Sequence, residues 1–200
     1  MASKSRRLDS VCVYCASSNA ADPEFLEAAA AFGRILAKAG VRLVYGGGGV
    51  GLMGACAKAA HESGGRVLGV IPHFLTSHER PLKTVETVIV DSMHQRKMMM
   101  FEAADAFAIL PGGIGTLEEV IELLSWRRLG LHAKPIAFLN LKGFWDPLFA
   151  LFQHILDQDL IPAEFAQTWT SVERVEDLLP ALRRMPTLAF TTPPSLDQMT

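Results

Sequence analysis

Cysteine is scarce in this 200-residue chain: Cys12, Cys15 and Cys56 are the whole set. An odd, sparse count excludes the disulfide framework of small secreted folds and points to a cytoplasmic setting. Long apolar runs are missing too, since no stretch reaches the roughly 18 residues of a membrane-spanning helix. The basic opening at 1–7 is followed by an apolar stretch broken by Asp9 and Ser10, so the core of a secretory signal is not there. Charge of one sign is also lacking, because 19 Lys and Arg face 21 Asp and Glu for a formal net charge of −2. Such a balance gives no global attraction to nucleic acid or an anionic membrane, so any phosphate site must be local. The six histidines show no metal-ligand spacing.

Half of the residues are hydrophobic and a fifth charged, the composition of a folded chain with a sizeable core. Short β-rich runs at 11–15, 41–45, 66–71, 85–90, 106–110 and 135–139 alternate with helical spacing at 23–38, 52–63, 93–104, 117–129, 144–158 and 175–185. Residues 73–84 read as a loop. Near-continuous apolar strands alternating with helices imply an α/β fold: one doubly wound, Rossmann-like domain with a mostly parallel sheet flanked by helices. The expected limits are a flexible start at 1–9, the domain at 10–185 and a loose tail at 186–200. In such sheets ligands bind at the carboxyl ends of the strands, where the topology reverses.

Cys12 and Cys15 form a C-x-x-C, but within a buried strand rather than a turn entering a helix. The pair is read as two inert core thiols. Two glycine-rich turns fall between strand and helix. In the first, Gly49, Gly51 and Gly54 satisfy G-x-G-x-x-G, a context in which backbone amides can approach a phosphate. A nicotinamide site needs an acid near the end of the next strand, where this chain has Pro72 and His73, and the P-loop lysine is missing as well. Tight strand-to-helix packing remains an alternative for this turn.

The second turn is Pro111-Gly112-Gly113-Ile114-Gly115-Thr116, followed by Leu117-Glu118-Glu119. It offers successive amides, a hydroxyl and a helix start to an anion. Thr116 and Glu119 also have the spacing of a capping box, a purely structural device, and the residues alone leave the two readings level. Arg96 and Lys97, just after the fourth strand, add two cations at the same edge. A solvated helix face is the plainer account of such a pair, but it weakens beside two anion-receptive turns.

Together these residues resemble the LOG ("lonely guy") family of cytokinin riboside 5′-monophosphate phosphoribohydrolases. Its signatures P-G-G-x-G-T-x-x-E and M-H-x-R-K stand complete at 111–119 and 93–97, and Tyr45-Gly46-Gly47-Gly48 with Gly51-Leu52-Met53-Gly54 matches a third stretch. The likeness covers roughly 10–182. It implies a Rossmann-like homodimer that needs no cofactor or metal and releases a free base and ribose 5-phosphate from N6-modified AMP. Carried over by position, Arg96 and Glu119 become the catalytic pair. Lys97, Gly112, Gly113, Gly115, Thr116 and Glu118 contact the nucleotide, joined by Glu79, Ser17, Gly47 and Met53 as further substrate contacts. His94 is a helix-start residue.

Two departures are mild: Cys15-Ala16-Ser17-Ser18 stands where many members have C-G-S-S, and Met98-Met99-Met100 replaces a more polar stretch. The older family label "lysine decarboxylase" finds no support, because nothing marks a Schiff-base lysine with a partner for a pyridine nitrogen. Plain AMP nucleosidase activity and a non-catalytic nucleotide sensor or carrier stay open as alternatives. Trp126, Leu129, Leu131, Phe144, Trp145, Phe149 and Phe152 are expected first in the core and second at a dimer interface.

Overall fold

A computed structural model describes residues 6–186. The expected flexible start and loose tail lie outside the described residues, apart from 6–9 and 186. Seven strands form one sheet: β1 (Ser10–Tyr14), β2 (Arg42–Tyr45), β3 (Val67–Pro72), β4 (Glu86–Val90), β5 (Ala106–Ile109), β6 (Ile136–Leu139) and β7 (Thr170–Val172). Their order is β4-β3-β2-β1-β5-β6-β7, and every pairing is parallel. The chain winds outward from β1 to β4, returns to β5 beside β1, and winds outward again. The topology therefore reverses between β1 and β5.

The helices are α1 (Pro23–Lys38), α2 (Gly51–Glu62), α3 (Thr76–Glu79), α4 (Met93–Glu102), α5 (Ile114–Arg128), α6 (Asp146–Asp157) and α7 (Val175–Arg184). Alternation along β1 shows how the two layers are built. Val11, Val13 and Cys15 join one core with Phe32 and Leu36 of α1, Leu52 of α2 and Leu178 of α7. Cys12 and Tyr14 join the other, with Met100 of α4, Val120 and Leu123 of α5 and Phe152 of α6. Period-two side chains thus place Cys12 and Cys15 on opposite faces of the sheet. All three thiols are free and buried, and burial pushes those of Cys12 and Cys15 well above the ordinary range. The inert reading of the C-x-x-C follows from that geometry.

Three expectations need correction. The segment 73–84 contains a 3-10 turn (His73–Leu75) and α3, closed by Arg80 at φ 46. A seventh strand is present, only three residues long at the sheet edge. Helix α5 begins at Ile114, three residues earlier than the spacing predicts. No helix among the described residues is long and apolar enough to cross a membrane.

Candidate active site

A cavity of about 310 Å³ opens over the carboxyl end of β1, at the point where the topology reverses. That volume suits a small ligand rather than a macromolecule. Cys15, Ala16, Ser17 and Ser18 form its floor, Gly46 and Met53 one wall, and Gly113 to Thr116 the other, while Arg96, Glu79 and Glu119 project into it.

Arg96 comes from the first turn of α4, whose N-cap Ser92 accepts a hydrogen bond from the Gln95 amide. Its guanidinium is buried and lies over the ends of two strands. Nη2 donates to the Gly46 carbonyl at 3.0 Å and Nε to the Val70 carbonyl at 3.3 Å. Nη1 points toward Glu119, 3.9 Å from Oε1. That is an ion pair too long to count as a hydrogen bond. Gly46 is what lets Arg96 sit there, since a methyl group on Gly46 would lie 2.0 Å from Nη2.

The early start of α5 changes what Thr116 and Glu119 do. Gly113 is the N-cap and no side chain caps the helix, so the Thr-x-x-Glu capping box does not form. Thr116 is buried inside the first turn, and Glu119 is buried in the second, facing Arg96. Burial pushes the Glu119 carboxyl up to about 7, with Arg96 pulling it down and Glu118 and Glu79 pushing it further up. The amides of Ile114, Gly115 and Thr116 meet no acceptor among the described residues. Three N–H groups at the positive end of a 15-residue helix make an anion-receptive surface beside a poised carboxyl.

The helix start that follows the first glycine turn is not such a surface. Gly49 N donates to Glu79 O at 2.7 Å, Gly51 N to Asn19 Oδ1 at 2.8 Å, and Leu52 N to Ala16 O at 3.0 Å. The start of α2 is thus spent on the protein's own oxygens, and a methyl group on Gly51 (φ 59) would lie 2.7 Å from the Ser17 carbonyl oxygen. For the start of α2 the packing alternative is the better account.

Of the residues expected to contact substrate, Ser17, Met53, Glu79, Arg96, Gly113, Gly115, Thr116 and Glu119 line the cavity, and Gly47, Lys97, Gly112 and Glu118 do not. Gly47 (φ 80) is backed against Ile71, and Gly112 leaves room for the Thr116 side chain. Lys97 is held by Glu118 at 2.6 Å and Glu122 at 2.9 Å. Burial lowers its ammonium, but these two bonds outweigh burial and keep it above the usual lysine range. Gly46, Ala16 and Ser18 are lining residues that the sequence reading missed; the glycine run at the end of β2 was the available signal for Gly46. Met100 also reaches the cavity.

Fold and site define a Rossmann-like α/β protein with an anion-receptive helix start beside a buried Arg–Glu pair. Residues 53–182 match a family model described as "Possible lysine decarboxylase". A cytokinin riboside 5′-monophosphate phosphoribohydrolase of Arabidopsis thaliana is 41% identical over 174 residues, covering 86% of this chain and 80% of that protein. A probable enzyme of the same name from Oryza sativa subsp. japonica is 42% identical over 174 residues, covering 86% of this chain and 78% of the relative. Among solved structures, the molybdenum cofactor carrier protein of Chlamydomonas reinhardtii superposes with a TM-score of 0.69 at 19% identity, covering 90% of this chain and 98% of the other. The molybdenum cofactor binding protein of Rippkaea orientalis gives 0.67 at 22% identity over 88% and 96%. At those identities the likeness is one of fold. The chain belongs to the LOG family of phosphoribohydrolases.

Proposed function

We propose that this protein hydrolyses the N-glycosidic bond of N6-modified adenosine 5′-monophosphate, releasing the free base and ribose 5-phosphate. The observation that carries this reading is the buried Arg96–Glu119 pair facing a small cavity beside unpartnered helix amides. Breaking an N-riboside builds positive charge on the ribose, an oxocarbenium-like state. Glu119 lies where a carboxylate would stabilise that charge and take a proton from the attacking water. Arg96 holds Glu119 and a substrate oxygen, a forked role for which lysine is a poor substitute. The amides of Ile114, Gly115 and Thr116, with the Thr116 hydroxyl, receive the 5′-phosphate. Lys97 and Glu118 act one step back, by bracing α4 against α5. Met53 is the lining residue best suited to an apolar N6 group.

The same reading makes 10–185 one domain that acts as a cytoplasmic homodimer. Trp145 and Phe152 belong to the core, but Leu129 and Leu131 at the end of α5 are 52% and 67% exposed. With Ile121, Leu151 and Leu160 also exposed, α5 and α6 carry an apolar surface suited to a second copy.

The deciding assay is chromatography of the products formed from AMP and from isopentenyladenosine 5′-monophosphate. Free base with ribose 5-phosphate is the expected result, and the relative rates separate N6-selective hydrolysis from general AMP cleavage. Nucleotide that stays bound without release of base would make the protein a carrier instead.

A further inference from the structure

Arg96 and Glu119 come from two different helices, so their spacing depends on how α4 and α5 are held together. Arg96 is moored to the sheet, through the carbonyls of Gly46 at the end of β2 and Val70 in β3. Glu119 has no such mooring. It meets Arg96 at 3.9 Å, and among the described residues no hydrogen bond reaches its carboxylate. Its place is therefore the place of α5. Toward their C-terminal ends the two helices are joined by apolar contact, with the rings of Phe101 and Trp126 meeting edge to face at 5.2 Å. Toward the cavity they are joined by charge.

The sequence sets that joint directly beside the pair. Lys97 follows Arg96, and Glu118 precedes Glu119. Glu122 lies four residues after Glu118, so one face of α5 carries two carboxylates a turn apart. Lys97 reaches across from α4 to both, with Nζ 2.6 Å from Glu118 Oε1 and 2.9 Å from Glu122 Oε2. Its side chain is only 13% exposed, against 30% for Glu122 and 51% for Glu118. Water and salt screen an exposed pair, whereas a sheltered pair keeps its geometry. The Glu118 bond is the shorter, but its carboxylate stands half in solvent, and Glu122 is the sheltered anchor. Apart from Arg96 with Glu119, no other ion pair among the described residues joins α4 to α5.

We infer that Glu122 is a positioning residue for the reaction: through Lys97 it fixes α5 against α4 and so sets the spacing of Arg96 and Glu119. This rests on the hydrolase reading given above. Glu122 lies outside the cavity wall and outside the family signatures at 93–97 and 111–119. Without the joint, Glu119 shifts with α5 while Arg96 stays on its two carbonyls. A misplacement of about 1 Å at a reacting centre costs on the order of 100-fold. The inference also gives Lys97 a task other than the nucleotide contact that the resemblance implies. As part of a joint, Lys97 needs an opposite charge on α5 and no contact with the substrate. Exchanging the two charges separates these roles.

The test assays base release from AMP by the wild type, Lys97→Glu, Glu122→Lys and the double exchange, with kcat and KM measured separately. Each single exchange sets like charges against each other, and kcat is expected to fall by about 100-fold with KM little changed. The double exchange restores an opposite pair across the same two helices and is expected to recover most of that loss. Glu122→Ala removes the anchor without adding repulsion, and stands in if a single exchange does not fold; it too is expected to lower kcat and spare KM. Low kcat in both single variants with no recovery in the double would show that Lys97 acts on the substrate itself. A rise in KM alone would show the same, and an unchanged kcat in Glu122→Ala would show that the joint does not set the spacing. Any of these three results overturns the inference. Failure of the wild type to release base would instead overturn the hydrolase reading itself.

Discussion

Gly46→Ala tests the whole arrangement without replacing either Arg96 or Glu119. The added methyl group would stand 2.0 Å from Arg96 Nη2 and 3.1 Å from Met53 Sδ. Backbone of β2 is fixed in the sheet centre between β1 and β3, so the guanidinium must yield by more than an ångström. It would then leave the Gly46 carbonyl, now 3.0 Å away, and change its approach to Glu119. A misplacement of about 1 Å at a reacting centre costs on the order of 100-fold. Base release measured by chromatography should therefore fall by about that factor or more in kcat. The hydrogen bond lost by a buried cation should cost roughly 1.5–3 kcal/mol of stability. In a domain of this size that lowers the melting temperature by about 3–12 °C and leaves the fold standing. Activity within a few-fold of wild type would show that the placement of Arg96 is not what the reaction depends on.

Glu119→Gln should keep the fold and reduce turnover by roughly 100- to 10,000-fold, read by the same product assay. The same variant should also be less sensitive to pH. Glu119 titrates at about 7 in the folded protein and at about 4.3 unfolded, so the native state holds the extra proton in between. Wild-type stability should therefore fall as pH rises from about 4.3 to 7, by on the order of 3 kcal/mol, and level off above; urea titrations at the two ends should show this slope flattened in Glu119→Gln. Arg127 is fully buried, and among the described residues its Nε and Nη2 lack partners and its one hydrogen bond goes to the Lys134 carbonyl. Arg127→Met should hold or raise the melting temperature, because replacing an unpaired buried cation with an apolar side chain removes its desolvation cost. Leu129→Asp with Leu131→Asp should yield monomers in size exclusion with light scattering, and a dimer that persists would place the interface elsewhere.

Much of the fold was legible because parallel strands buried on both faces leave near-continuous apolar runs, and these mark β1, β2, β3, β5 and β6 plainly. Thr170-Ser171-Val172 gave no such run: an edge strand of three residues with mixed exposure has no pattern to detect. The site was legible in part. Arg96, Glu119 and the second glycine turn stood out by residue type and spacing, and the cavity brings them together. Which amides were available was hidden, because that depends on partners distant in sequence, such as Ala16 for the start of α2.

The two glycine turns show why a motif alone is a weak guide to chemistry. Both lie between a parallel strand and a helix, and both could present amides to a phosphate. They part over what occupies them. Around the first, every close approach permitted by a missing Cβ is taken by the chain itself: Arg96 at Gly46, Glu79 at Gly48, Arg80 at Gly49 and the Ser17 carbonyl at Gly51. Around the second, Gly113 and Gly115 have open space where a Cβ would be, and the amides beside them are unpartnered. Glycine thus serves opposite ends in the two turns, drawing protein groups inward at one and keeping a surface clear at the other. On the proposed reading, the first turn keeps Arg96 in place and the second receives the ligand's anion. A bulky substitution should then act differently at each. Gly49→Val would displace the segment that carries Glu79 and lower kcat, whereas Gly115→Val would crowd the anion's seat and raise KM, with melting temperature affected far more by the first. Equal effects of the two substitutions on KM would contradict that division.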